Sequence, residues 1–117
     1  METIICSAIH IKDDNQHTDQ PSNIKSGFVI SGRRHNNCYA TISALYGDLD
    51  KYLAIIEHSD SDQGFITSLN RYVDRKEAFV IADKAKQLLY PKLYYPSEPN
   101  ILTSECLFPT DWENFTY

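Results

Sequence analysis

All four arginines of this chain lie in two short clusters, Arg33 and Arg34 in GRRH and Arg71 and Arg75 in NRYVDR. A guanidinium is a planar fork of donors that meets phosphate oxygens in pairs, so closely spaced arginines suit a phosphate-bearing ligand. The seven lysines are scattered instead, as solubilising charges are. Arg75 adds a second argument. It falls in the first turn of the best-marked helix, where the positive end of the helix dipole disfavours a cation by about 0.3–1 kcal/mol. A bound anion reverses that sign, and the first-turn N–H groups with Arg75 and Arg71 would make a compact anion cradle. Pairing of Arg71 and Arg75 with Asp74, Glu77 or another of the 16 acidic residues explains the same pattern without a ligand. Arg33 and Arg34 have their own bland alternatives, a solvated turn or an ion pair between subunits.

Beside the arginines, His35 can donate to a ligand or cap a neighbouring carbonyl. Tyr39, one turn into the helix that follows, offers a stacking face for a base or packs in the core. Phe65 carries the same ambiguity, while Tyr72, on the strand face opposite Arg71 and Val73, reads as core. Catalytic patterns are missing. His10, His17, His35 and His58 have Lys12, Asp19, Asn37 and Asp60 two positions on, so no paired H-x-[ST] element exists. There is no G-x-S-x-G or Walker-type loop, and a Cys38–His35 pair lacks an orienting acid. Histidines and cysteines also lack metal-ligand spacing, so neither metal nor cofactor is expected.

These residues must be positioned by a modest set of elements. Residues 3–11, TIICSAIHI, read as a strand, the polar run 12–26 as a loop with a mobile tip, and GFVIS as a second strand closing a hairpin. A helix follows, capped by Asn36 or Asn37, with Cys38, Ile42 and Leu45 facing inward and Gly47 as its stop. The stretch Lys51–Ile56 fits a short helix or a strand, and residues 58–64 read as loop. GFITS and NRYVD are extended pieces around a turn at Leu69 and Asn70. A longer helix spans Asp74–Tyr90, started by the capping pair Asp74 and Glu77 and ended by Pro91. The tail is expected to dock as irregular structure with at most a short element, anchored by Phe108 and Trp112. The fold class is α+β, a small antiparallel sheet with two main helices in one domain over residues 1–117.

Composition narrows the partners. At 117 residues, 42% hydrophobic and 23% charged, the chain resembles ordinary folded domains. A formal net charge of −5 repels a nucleic-acid polymer but leaves room for a small anion held by local charge. Cys6, Cys38 and Cys106 are odd in number, without CxxC spacing, and read as small apolar fillers in a reducing cytosol. No apolar run has the roughly 18–20 residues of a membrane span.

Several segments together resemble a family of small phage proteins: IICSAIHI, Gly32–His35 with Cys38 and Tyr39 after it, Gln63–Ser68, Asn70–Ala78 and Ser104–Phe108. The pattern is similar to that of the first family of Thoeris anti-defence proteins. That resemblance implies a sponge, which binds the cyclic ADP-ribose isomer of bacterial Thoeris TIR enzymes (glycocyclic ADP-ribose) without cleaving it. It implies homodimers assembling into homohexamers, cyclic di- or trinucleotides of CBASS defence as further ligands for some members, and action in the cytoplasm of the infected host. By resemblance Arg71 and Arg75 match the ligand-gripping pair and Tyr39 the base-stacking aromatic. His35, Arg33 and Arg34 complete the candidate set. The competing expectation is a small acidic inhibitor that binds a host defence protein directly, and a third is an enzyme degrading the same signals.

Overall fold

The hydrophobic run at the N-terminus forms β1 (Ile4–Ile11), the central strand around which the rest assembles. A computed structural model of the chain describes residues 1–47, 63–88 and 101–107. Within them β1 pairs antiparallel with β2 (Phe28–Gly32) on one side and with β3 (Gln63–Thr67) on the other, and β3 pairs antiparallel with β4 (Tyr72–Asp74). The strand order is β2-β1-β3-β4. Helix α1 (His35–Tyr46) follows β2, α2 (Arg75–Lys84) follows β4 directly, and a short α3 (Ser104–Leu107) closes the described chain. The expected α+β class with a small antiparallel sheet and two main helices is what the chain adopts.

Alternation along the strands assigns one face to both helices. Ile9 stands opposite Ile30, and these two with Ile11 meet Cys38 and Ile42 of α1. Phe65 stands opposite both Ser7 and Val73, and Phe65 and Val73 with Ile4 meet Ala78, Ile81 and Ala82 of α2 together with Leu102, Cys106 and Leu107. Two apolar clusters thus lie side by side under two helices, and the segment 101–107 completes the second. Phe65, Ile9, Ile11, Ile42 and Leu102 are fully buried, each contributing roughly 1.5–3 kcal/mol of hydrophobic stabilisation.

The opposite face is crossed by the loop between β1 and β2. The expectation of a mobile tip gives way here to a tied strap. The Asn23 side-chain amide donates to the Tyr72 carbonyl at 2.6 Å and accepts from the Tyr72 N–H at 2.8 Å. Ser22 N–H donates to the Asn70 carbonyl at 2.8 Å, and Gln20 Oε1 accepts from Val29 N–H at 2.9 Å. Tyr72 lies on this face, as its position in the strand requires, tilted against His10 with ring centroids 5.6 Å apart. It crosses Gly64 so closely that a Cβ there would stand 2.6 Å from the Tyr72 ring and 2.3 Å from the Val73 carbonyl. Only glycine fits.

Three boundaries differ from the sequence expectation, each for a physical reason. Helix α1 starts at His35 with Arg34 as N-cap, and Asn37 serves from inside the first turn, its Oδ1 accepting from Arg34 N–H at 3.0 Å. Leu45 points outward, 60% exposed, because Tyr46 rather than Leu45 continues the stripe begun by Cys38 and Ile42. Gly47 stops the helix as expected, in a left-handed conformation with its N–H bonded to the Ser43 carbonyl at 2.8 Å.

Helix α2 ends at Lys84, well before the expected Tyr90. Lys86 adopts φ 57°, with Gln87 N–H donating to the Ala82 carbonyl and Lys86 N–H to the Asp83 carbonyl. This paired closure is the Schellman arrangement. It turns Gln87 back onto β1, where its amide accepts from Ile4 N–H at 2.8 Å and donates to the Ile4 carbonyl at 2.9 Å. Ile4 needs that partner because the register shifts between Ile4 and Cys6. Strand β3 likewise begins at Gln63, inside the region read as loop. Lys51–Ile56, Leu89, Tyr90, Phe108 and Trp112 lie outside the described residues.

Candidate functional site

Arg71 and Arg75 stand four residues apart, yet the fold sends them to different environments. Arg71 Nε and Nη2 donate to Glu2 Oε2 and Oε1, both at 2.9 Å, and Nη2 also reaches Glu77 Oε2 at 2.9 Å. The two-pronged hydrogen bonding to Arg71 holds the Glu2 carboxyl below the usual carboxylate range, with the Thr67 hydroxyl adding to it, and raises Arg71 in turn. Glu77 is therefore only half of the expected capping pair. Its N–H donates to Asp74 Oδ1 at 2.8 Å, while its carboxylate turns to Arg71. The pairing of arginine with acid, weighed against an anion cradle in the sequence, is what Arg71 adopts.

Arg75 opens instead on a cavity of about 340 Å³ lined by Arg34, His35, Asn36, Gln63, Arg75, Thr103 and Ser104. The volume lies at the lower end of the roughly 300–1,000 Å³ of small-molecule clefts. Besides Gln63 of β3, three distant stretches of chain build it. The β2–α1 junction supplies Arg34, His35 and Asn36 at the start of α1; β4 runs without a linker into α2, which places Arg75 at its first position; and the segment 101–104 crosses between them. Leu102 N–H donates to the Arg75 carbonyl at 3.0 Å on one side. On the other, Ser104 Oγ accepts from His35 N–H at 3.1 Å.

The described lining of this cavity is cationic and polar. Two arginines and the N-terminal turns of two helices border it, each helix start carrying roughly half a positive charge. No carboxylate stands among its described lining residues, in a chain whose acidic residues outnumber its basic ones. Asn36, Gln63 and Thr103 add neutral donors and acceptors. Gln63 is oriented from behind, its Nε2 donating to the Tyr39 hydroxyl at 2.9 Å.

His35 is fixed by its own bonds. Nε2 stands 2.9 Å from the Gly64 carbonyl, which can only accept, so Nε2 carries a proton and in the neutral ring Nδ1 is the acceptor. Nδ1 then takes the Ser104 hydroxyl proton at 2.7 Å, and Ser7 reaches the same Ser104 oxygen at 2.8 Å. The ring also meets Phe65 edge-on, with centroids 5.1 Å apart. A serine on a histidine suggests a nucleophile and its base, but Ser104 is 2% exposed and its hydroxyl is spent on three internal partners. The Cys38–His35 alternative fares no better, since burial of the Cys38 thiol pushes it up to about 12.

Of the six residues singled out from the sequence, the fold brings Arg34, His35 and Arg75 to one cavity. Tyr39 stands one contact behind it through Gln63, with its ring against the α1 cluster. Arg71 and Arg33 are not among the lining residues; the Arg33 carbonyl faces the Ser7 hydroxyl at 3.2 Å. Asn36, Gln63, Thr103 and Ser104 were not among the candidate site residues of the sequence, because neutral polar side chains point to no site until the fold assembles them. Among the described residues no group of His, Cys, Asp and Glu is arranged to hold a metal ion, and no helix is long and apolar enough to cross a membrane.

A family model described as phage T4 y16D protein matches residues 3–111 of the chain. No curated protein and no solved structure matches it.

Proposed function

The chain belongs to the phage T4 y16D protein family, and from that premise we propose that it is a counter-defence sponge that captures a phosphate-bearing cyclic nucleotide signal. The observation that carries this reading is the cavity between the starts of α1 and α2, where Arg34 and Arg75 meet beside Asn36, Gln63 and Thr103. A pyrophosphate there gains both guanidinium forks and two helix dipoles, and Asn36, Gln63 and Thr103 suit the ribose hydroxyls and base edges beside it. The resemblance of GRRH, QGFITS and NRYVDRKEA to the first Thoeris anti-defence family supplies the identity of the anion. It is the cyclic ADP-ribose isomer of Thoeris TIR enzymes, with CBASS cyclic oligonucleotides as further ligands.

Capture without cleavage is supported by the internal engagement of Ser104 and by a Cys38 thiol held protonated. Tyr39 acts through the Gln63 amide in this reading, and Arg71 supports the β3–β4 hairpin. The proposal includes assembly as a homodimer or homohexamer, which light scattering measures, and action in the host cytoplasm.

The test incubates purified protein with the cyclic ADP-ribose isomer, filters out unbound ligand, heats the retained fraction and analyses what is released. Intact ligand appearing only after heating supports the sponge. Degraded product would mean an enzyme, and unretained ligand would redirect the search to other cyclic nucleotides or to a host protein captured without nucleotide.

A further inference from the structure

Residues 101–107 lie far along the chain from the two helices whose starts they join. Leu102, Cys106 and Leu107 are buried in the apolar cluster under α2, so the segment is seated by burial of side chains on that side. On the side of α1 the attachment is polar. Ser104 Oγ takes the His35 N–H, gives its proton to His35 Nδ1, and meets Ser7 of β1. The segment is anchored to the first residue of α2 by the Leu102–Arg75 bond and to the first residue of α1 by Ser104. Thr103 and Ser104 between these anchors are themselves wall of the cavity.

We infer that Ser104 is a positioning residue that locks residues 101–107 as a crossbar between the starts of α1 and α2, so that anion binding and docking of this segment are coupled. The inference rests on the anion-binding reading of the cavity. Its physical basis is shared parts: the backbone groups of His35 and Arg75 that hold the crossbar belong to the residues that line the site. An anion drawn to Arg34 and Arg75 fixes both helix starts, and fixed helix starts hold Ser104 and Leu102. Linkage makes the effect mutual: the factor by which the anion favours the docked crossbar is the factor by which docking favours the anion. Sequence offered no sign of this, since a serine in a tail is an unremarkable residue until His35 meets it 69 positions away.

The probe is inorganic pyrophosphate, measured by calorimetry, with hydrogen exchange of the Leu102 amide as the second readout. In the wild-type chain, saturating pyrophosphate slows Leu102 exchange, and Arg75→Ala abolishes both binding and slowing. Ser104→Ala speeds Leu102 exchange in the free protein about tenfold and weakens pyrophosphate about tenfold, the effect of one or two ordinary hydrogen bonds. Ser7→Ala, which leaves both Ser104–His35 bonds in place, changes either quantity by less than about threefold. The ring ¹⁵N signal of His35 Nδ1 shifts in Ser104→Ala, reporting the lost donor directly. Pyrophosphate that binds through Arg75 while Leu102 exchange stays unchanged overturns the coupling and leaves the anion reading intact. Failure of the wild-type chain to bind pyrophosphate removes the anion reading, and the coupling with it. The wild-type exchange measurement needs no variant, so it decides the coupling even where Ser104→Ala does not fold.

Discussion

Arg71 and Arg75 share a residue type, a sequence neighbourhood and a spacing that invites one joint role. The fold gives Arg71 two carboxylates, Glu2 and Glu77, whereas Arg75 opens on a cavity whose described lining holds none. Arg34, from the other arginine cluster, is the guanidinium that shares a site with Arg75. The difference teaches that spacing alone does not give two arginines a joint role, because the fold brings different neighbours to each. A bidentate carboxylate already satisfies the geometry that a phosphate would use.

The strongest way to break this comparison is to exchange the two effects. Arg75→Ala is expected to weaken the nucleotide by about ten- to a hundredfold, the worth of a charge-assisted pair of hydrogen bonds, with the melting temperature little changed. Calorimetry and a thermal melt on the same sample decide it. Arg71→Ala should do the reverse, lowering the melting temperature while affinity stays within about threefold. A folded Arg71→Ala chain that has lost its ligand would make Arg71 the gripping residue and the comparison void.

The acid partner sharpens the contrast through pH. Glu2 has its carboxyl lowered by Arg71, so the stability it adds is present above its ordinary value of 4.5 and fades as pH falls through the lower folded value. The melting-temperature gap between wild type and Glu2→Gln should accordingly be widest near neutrality and close in acid. A gap that stays constant across that window would show that Glu2 acts by packing instead of by its charge. The smallest effect concerns the support of the cavity wall. Tyr39→Phe removes the hydroxyl that orients Gln63, and the expected loss is about two- to fivefold in affinity with the fold intact.

Local signals in the sequence located the elements well where the cause is itself local. The β-branched run of β1, the Asp74 cap of α2 and the turn before Arg71 all depend on residues within a few positions. The early end of α2 was hidden because Lys86, with no glycine to announce it, takes the left-handed position, and its reward comes from Gln87 reaching Ile4 across 83 positions. The site was half legible for the same reason. Arg34, His35 and Arg75 stand out by residue type, but Gln63 and Ser104 gain meaning only when β3 and the crossbar arrive beside α1. Spacing alone gave no sign that Arg71 meets Glu2, which lies 69 residues upstream.

The strap across the sheet has a consequence for crowding. Edge strands β2 and β4 offer backbone groups that another chain's strand could extend, the first step of open-ended polymerisation. Gln20 holds the Val29 N–H, and Asn23 holds both backbone groups of Tyr72. These two side-chain amides end the ladder at its own borders, so copies of the chain can accumulate without extending one another's sheets.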